Sequence, residues 1–395
     1  MRFLRSCVFF LISALAVSCS TTNDLPEASP KIEITENSVQ SKIVLVFAGD
    51  IMAHNVNYAH KNFDSIWDDI SPIVKSGDLA FANIEAPVND AMEWSTYPQF
   101  NMHSSYIQAV EDAGFNVFSL ANNHTNDWYL EGINATKKYF KSKNNIYACG
   151  LKENRGGSLT YQLIEKNDWK ILFVAFTEIL NRPDYASYID FYPSKKHDEL
   201  KNELKEIARQ NEHDILVVSI HTDEEEYKTK VTESHRKFFR ELIAECGADI
   251  IWANHPHVSK EWEKIQVSSD LDSQSAFIMY ANGNTISGQR TSPSFLKKHN
   301  ERDDTGDGLL FRITCVKNSD SKKILQEKTK AQFNFELIEP FFITTYIKDD
   351  GQYVVRQVDD DFIHCLDRAG ILKWTSYLSE RRKIFENLKG ISKWQ

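Results

Sequence analysis

The chain has no surplus of positive charge. Its 395 residues hold 46 Lys and Arg against 56 Asp and Glu, a formal net charge of -10. Proteins that grip a phosphate backbone need a basic surface, so nucleic acid is disfavoured as a partner. A small anionic substrate stays open, because a bound metal ion supplies local positive charge. Cysteine is sparse: six in all, with no Cys-x-x-Cys pair and so no zinc-finger spacing. Cys246 and Cys315 sit in apolar surroundings and read as buried free thiols. The sequence has no internal repeat. Its N-terminal apolar run, Val8 to Val17, is too short to span a bilayer as a mature helix. The stretch Asp303-Asp304-Thr305-Gly306-Asp307-Gly308 lacks the ligand spacing and terminal Glu of a calcium loop and reads as a solvated turn.

What is present fits a folded, exported protein. Hydrophobic content is 42% and charged content 26%, ordinary for a globular chain. Arg2 and Arg5 precede the apolar run, and Ala16-Val17-Ser18-Cys19 resembles a lipoprotein signal, with Ala16 where that pattern usually has leucine. The expectation is a signal peptide over 1–18, cleavage before Cys19 and lipidation of that residue. A polar tether follows over 19–41. The protein is then a membrane-anchored lipoprotein of the cell envelope.

The folded part begins at Lys42. Ile43–Phe47, Leu79–Ala82, Phe115–Leu120, Ile171–Phe176 and Ile215–Ile220 are short apolar runs rich in branched or aromatic residues, which predicts buried strands. Ala248–Trp252 and Phe277–Tyr280 read the same way. Helical spacing recurs between them, over Phe63–Val74, Tyr106–Ala113, Gly132–Lys141, His197–Gln210 and Ser234–Cys246. Alternating strands and helices predict an α/β fold. After about Gly308 the texture changes to strands over Leu309–Val316, Phe333–Ile338, Phe341–Ile347 and Tyr353–Val358, then helix over Asp361–Leu388. Two parts result: a main domain over 42–307 and a C-terminal extension over 308–395.

Polar residues of ligand type follow the strand ends. Ala253-Asn254-His255-Pro256-His257 is the densest case, with a proline stiffening the backbone between two imidazoles. Asp50, Glu85, Asn123-His124 and His221 occupy matching positions after other strands. In open α/β sheets this carboxyl edge is where ligands bind. Two carboxylates, an amide oxygen and several imidazoles without thiolate suit manganese, iron or zinc.

The order Gly49-Asp50-Ile51-Met52, Asn83-Ile84-Glu85, Asn122-Asn123-His124-Thr125-Asn126-Asp127, Ser219-Ile220-His221, His255-Pro256-His257-Val258 and Tyr280-Ala281-Asn282-Gly283-Asn284 resembles the CapA family. These are capsule and poly-γ-glutamate biosynthesis proteins related to the calcineurin-like metallophosphoesterases. The resemblance implies a metallophosphoesterase-like two-sheet β-sandwich flanked by helices, with a C-terminal strand-plus-helix extension, and two divalent metal ions. It gives Asp50 and His257 to one ion, Asn123, His221 and His255 to the other, and Glu85 to both. His124 becomes the acid or electrostatic stabiliser, oriented by Asp127.

Three departures stand out. Met52 occupies a usual histidine position, with His54 nearby as a possible substitute. Thr222-Asp223-Glu224-Glu225-Glu226-Tyr227 replaces a shorter Trp-Gly and Glu-Tyr stretch. Tyr280-Ala281 replaces Tyr-Ser. The implied activity is hydrolysis of a phosphoester by metal-bound hydroxide during synthesis of an anionic envelope polymer. Two alternatives stay open: cleavage at a γ-glutamyl amide, and a non-catalytic metal-containing assembly factor for a membrane-bound polymer synthase.

Overall fold

Alternation of side chains along the strands decides the layers. In β1 (Lys42–Ile51) Leu45 and Phe47 face one apolar cluster, while Val46 and Ala48 face another. A strand buried on both faces needs a continuous apolar run, which is why β1 shows none of the polar alternation of a surface strand. The computed structural model describes residues 41–60, 62–269, 272–295, 299–317 and 332–389. The expected signal peptide, Cys19, nearly all of the tether and the segment 318–331 lie outside the described residues. No helix among the described residues is long and apolar enough to cross a membrane.

After β1 come α1 (Asn55–Tyr58), α2 (Ser71–Lys75), β2 (Leu79–Ile84), α3 (Ser104–Asp112), β3 (Val117–Ser119), α4 (Tyr129–Lys141) and β4 (Tyr147–Cys149). A second set follows: β5 (Tyr161–Lys166), β6 (Trp169–Thr177), α5 (His197–Gln210), β7 (Ile215–His221), α6 (Glu233–Cys246), β8 (Ile250–Asn254), β9 (Trp262–Ser269) and β10 (Asp272–Met279). Last are β11 (Asn284–Ile286), α7 (Glu301–Asp304), β12 (Asp307–Lys317), β13 (Phe333–Ile347), β14 (Tyr353–Gln357), α8 (Asp360–Arg368) and α9 (Leu372–Lys389).

Two sheets result. One runs β14-β13-β12-β1-β2-β3-β4 with β11 beside β1, and the other runs β5-β6-β7-β8-β10-β9. Phe47 and Phe81 from the first sheet meet Phe173 and Trp252 from the second in the layer between them. The outer face of the second sheet packs Leu172, Val174, Leu216 and Val218 against Leu200, Leu204, Phe239 and Leu242 of α5 and α6. The first sheet packs Val46, Ala80 and Phe118 against Tyr106, Val110 and Ile133 of α3 and α4. This is the expected two-sheet sandwich flanked by helices.

Several sequence expectations needed correction. Phe63–Val74 is not one helix, because Pro72 has no N–H for an upstream carbonyl; only a turn at Asp64–Ile66 and α2 form. Phe333–Ile338 and Phe341–Ile347 join into the single strand β13. Pro340 is tolerated there because β14 pairs only with Ile343–Ile347, leaving an open side at the proline. The helical C-terminus breaks at Gly370, which has φ +71. The C-terminal strands extend the first sheet directly, with β12 antiparallel to β1 from Lys42↔Val316 to Phe47↔Phe311.

The stretch Asp303–Gly308 is no solvated turn. Asp307 is buried between two guanidinium groups, with Arg290 Nη1 donating to its Oδ1 at 2.8 Å and Arg381 Nε to its Oδ2 at 2.5 Å. Asp303 accepts from the Tyr377 hydroxyl at 2.9 Å and from the Ser294 N–H at 3.0 Å. These contacts tie α9 to β12. Removing one member of such a group leaves buried charge unpaired, so Asp307→Ala should lose about 3–5 kcal/mol of folding stability. Chemical denaturation reads this directly, and a loss below about 1 kcal/mol would contradict it.

Candidate metal centre

The carboxyl ends of the central strands of both sheets meet at one place. β1 pairs in parallel with β2 and β11, which sets Asp50 beside Asn83 and Asn284. In the other sheet Thr177, His221 and Asn254 stand in register across β6, β7 and β8. Gly49 makes the close approach possible: a Cβ there would lie 1.9 Å from the Gly283 carbonyl oxygen. His255 and His257 follow β8 with φ +102 and +59, left-handed backbone that side chains rarely adopt. Such outliers concentrate at functional sites, and this one turns both imidazoles back over the strand ends.

The residues singled out in the sequence converge here. His221 Nε2 lies 2.8 Å from Asn123 Oδ1, 3.1 Å from His255 Nδ1 and 3.7 Å from Glu85 Oε1. His257 Nε2 lies 3.6 Å from that same Glu85 oxygen, and its Nδ1 lies 3.4 Å from Asp50 Oδ2. Two groups able to hold a metal ion follow, Glu85–His221–His255 and Asp50–Glu85–His257, with Glu85 common to both. His124 stands beside Asn123, with Nδ1 2.7 Å from Asp127 Oδ2.

Glu85 tests whether a cation fits. Its side chain is wholly buried and neither carboxylate oxygen has a hydrogen-bond partner. Burial, then the neighbouring Asp50, Glu226 and Asp127 carboxylates, push its pKa well above the ordinary range. A buried carboxylate in that position needs a proton or a cation. The imidazoles around it are prepared for the second. Burial and then the neighbouring histidines lower His255 to about 3 and hold His221 well below its usual value. Both rings are therefore neutral and have lone pairs to give. His257 differs: burial pulls it down, but its bond to Asp50 brings it above the ordinary value. Asn284 Oδ1, 3.0 Å from His257 Nδ1, accepts its N–H and leaves Nε2 aimed at Glu85.

Two sequence questions are settled by contacts. Met52 belongs to the apolar cluster outside the first sheet and takes no part in the centre. His54 does not replace it as a ligand. Its Nδ1 accepts the Gly288 N–H at 3.0 Å, so in the neutral ring Nε2 carries the proton and has no free lone pair. Burial, then the His257 and His124 charges, lower its pKa to about 3.

Sequence reading missed several supporting residues. Asn83 Nδ2 donates to Asp50 Oδ1 at 2.8 Å, and Asn282 Nδ2 donates to the Ala48 carbonyl at 3.1 Å. Both lie inside motifs already noted, so position was available as a signal although role was not. Asn181 Nδ2 lies 3.2 Å from His124 Nδ1 and 3.4 Å from Nε2. Nothing near Asn181 in the sequence marks it. Tyr227 stacks on His257 at 6.3 Å between ring centroids and carries the Arg302 guanidinium 4.2 Å above its own ring.

Comparison with known proteins agrees with the motifs. Residues 44–289 match the family described as bacterial capsule synthesis protein PGA_cap. Capsule biosynthesis protein CapA of Bacillus anthracis is 28% identical over 312 residues, 73% of this chain and 71% of that protein. PGA biosynthesis protein CapA of Bacillus subtilis (strain 168) is 25% identical over 360 residues, 87% of each chain. A solved structure of a putative 5'-nucleotidase from Staphylococcus aureus, in complex with alpha-ketoglutarate, aligns with TM-score 0.40 at 14% identity, covering 75% of this chain and 54% of that one. The family match takes in more than half of the chain and contains every residue that converges on Glu85. The chain belongs to the bacterial capsule synthesis protein family PGA_cap, within the calcineurin-like metallophosphoesterase superfamily.

Proposed function

We propose that this protein is a dinuclear-metal phosphoester hydrolase that serves capsule or other anionic-polymer biosynthesis at the cell envelope. The observation that carries the reading is Glu85, a buried carboxylate without hydrogen bonds that two ligand groups share. Asp50, Glu85 and His257 would hold one divalent ion, and Glu85, Asn123, His221 and His255 the other. When bound, such a pair supplies Lewis acidity toward a phosphoryl oxygen and lowers the pKa of a water.

The remaining steps fall to side chains. His124 gives its Nδ1–H to Asp127, whose Oδ2 also accepts the Phe100 N–H at 2.7 Å. That second bond fixes the carboxylate, and the carboxylate fixes the ring. Nε2 is left to deliver a proton to the leaving-group oxygen as its bond to phosphorus breaks. Asn181 Nδ2 faces the same ring, and its N–H can donate to Nε2 once the proton has left. Asn123 adjoins His124 in the chain, so one short turn presents both a metal ligand and the acid.

The assembly-factor reading has Met52 in its favour, since that ligand position is unused. It predicts bound metal with no turnover. The lipoprotein-like pattern at Ala16–Cys19 supports membrane attachment, with the polymer synthase as a partner within reach.

Three outcomes follow. Elemental analysis should find fewer divalent ions per chain in Asp50→Asn and in His255→Ala than in the unaltered protein; equal content would remove the dinuclear assignment. His124→Ala should lower kcat on an alkyl phosphodiester, whose leaving alkoxide needs a proton, about 10²–10⁴-fold with metal content intact, and an unchanged kcat would reassign the proton donor. Cys19→Ala should move the exported protein from the membrane fraction to the soluble fraction, and retention in the membrane would argue against lipidation.

A further inference from the structure

A second polar cluster lies beyond β6 and shares no side chain with the first. Glu178, one residue past the end of β6, has a wholly buried carboxylate. Its Oε1 is 2.7 Å from His197 Nε2 and its Oε2 is 2.8 Å from His235 Nε2. Asp223 Oδ1 is 3.2 Å from that same His235 nitrogen, and the Asp223 N–H donates to Glu178 Oε2 at 3.3 Å. Both histidines are held from behind. The His197 ring lies flat on Phe238, 3.6 Å between centroids at 5°. His235 Nδ1 is 2.8 Å from Thr232 Oγ1 and 3.5 Å from Glu224 Oε1.

We propose that Glu178, Asp223 and His235 form a separate mononuclear site for a zinc-class divalent cation. The donor set is one imidazole nitrogen and two carboxylate oxygens, all within 4.8 Å of one another, a set zinc accepts with water completing its coordination. His235 Nε2 stands 2.8 Å from Glu178 Oε2 and 3.2 Å from Asp223 Oδ1. Ligands about 2.0 Å from a tetrahedral ion are separated by about 3.3 Å, so a small expansion seats the ion. His197 holds the other Glu178 oxygen and braces the carboxylate. The ligands come from three places: the end of β6, the loop after β7 and the first turn of α6. Such scattered donors are what a structural zinc ties together. Asp223 is 40% exposed, which opens a path from solvent to a site whose other carboxylate is fully buried.

The competing occupant is a proton. Burial pulls His235 down, but its bonds to Asp223 and Glu178 overcome this and hold the ring up to about 10. Zinc binding at His235 Nε2 therefore has to displace this proton. Position suggests what an ion would accomplish. The Glu178 N–H donates to the His221 carbonyl at 2.8 Å, and Asp223 begins the loop that ends at Tyr227 against His257. A metal tie there fixes one wall of the first centre.

The test separates the two sites. The double variant Asp50→Asn/His255→Ala, purified and loaded with zinc, should retain one ion per chain. Loaded with cobalt(II), it should show the visible absorption of a four-coordinate ion. Adding His235→Gln should remove both signals with the circular dichroism unchanged. Asp223→Asn, at a half-exposed position that tolerates change, should weaken zinc retention against a chelator about ten-fold or more. A folded Asp50→Asn/His255→Ala protein with neither zinc nor the cobalt band would overturn the proposal, and so would zinc retention unaltered by Asp223→Asn. If the unaltered protein holds a single ion that Asp50→Asn/His255→Ala leaves in place and His235→Gln removes, this site stands and the dinuclear reading fails.

Discussion

A carboxylate with no hydrogen bonds in a fully buried place is the constraint around which this molecule is built. Glu85 faces Asp50 and the imidazoles of His221 and His257 from the opposite sheet. Ionised and unpaired it would oppose folding by several kcal/mol. A protein can tolerate such a group by protonating it or by binding cations. The surrounding lone pairs on His221 and His255, kept free by burial, make cations the complementary partner. On the proposed reading stability and chemistry are coupled: the ions that would neutralise the core of the site are the ions that would polarise a phosphoester.

The sheets exist in the form they do because this convergence needs them. Parallel strands place all their carboxyl ends on one edge, and two such sheets packed face to face bring two edges together. Phe47, Phe81, Phe173 and Trp252 set the distance between the sheets, so their packing also sets the distance between Asp50 and His255. The C-terminal strands and helices add rigidity from behind. β12 pairs along β1 almost to Asp50, and Asp307 at its start is clamped by Arg290 and Arg381.

The loop after His221 is one of the stretches that depart from the family pattern, and it is tied down at several points. Glu224 pairs with the buried Lys260, Asp223 joins the cluster at Glu178, and Tyr227 lies against His257. Arg302, reaching Tyr227 from α7, adds a cation to that wall. These contacts hold the loop in one arrangement beside the centre.

The sequence determined what depends on local pattern. Short apolar runs named the buried strands, because a strand covered on both faces must be apolar throughout. Ligand-type residues just past those runs named Asp50, Glu85, Asn123, His221, His255 and His257, because strand ends share an edge. It misread elements whose fate lies with distant partners: the strand through Pro340, possible only beside an open edge, and Asp303–Asp307, acidic and turn-like yet buried by arginines from residues 290 and 381. Only the tertiary structure could show that His54 spends its lone pair on Gly288, that Asn181 attends His124, and that Glu178, His197, Asp223 and His235 meet. Those contacts join segments far apart along the chain, and pairings of that kind leave no periodicity to read.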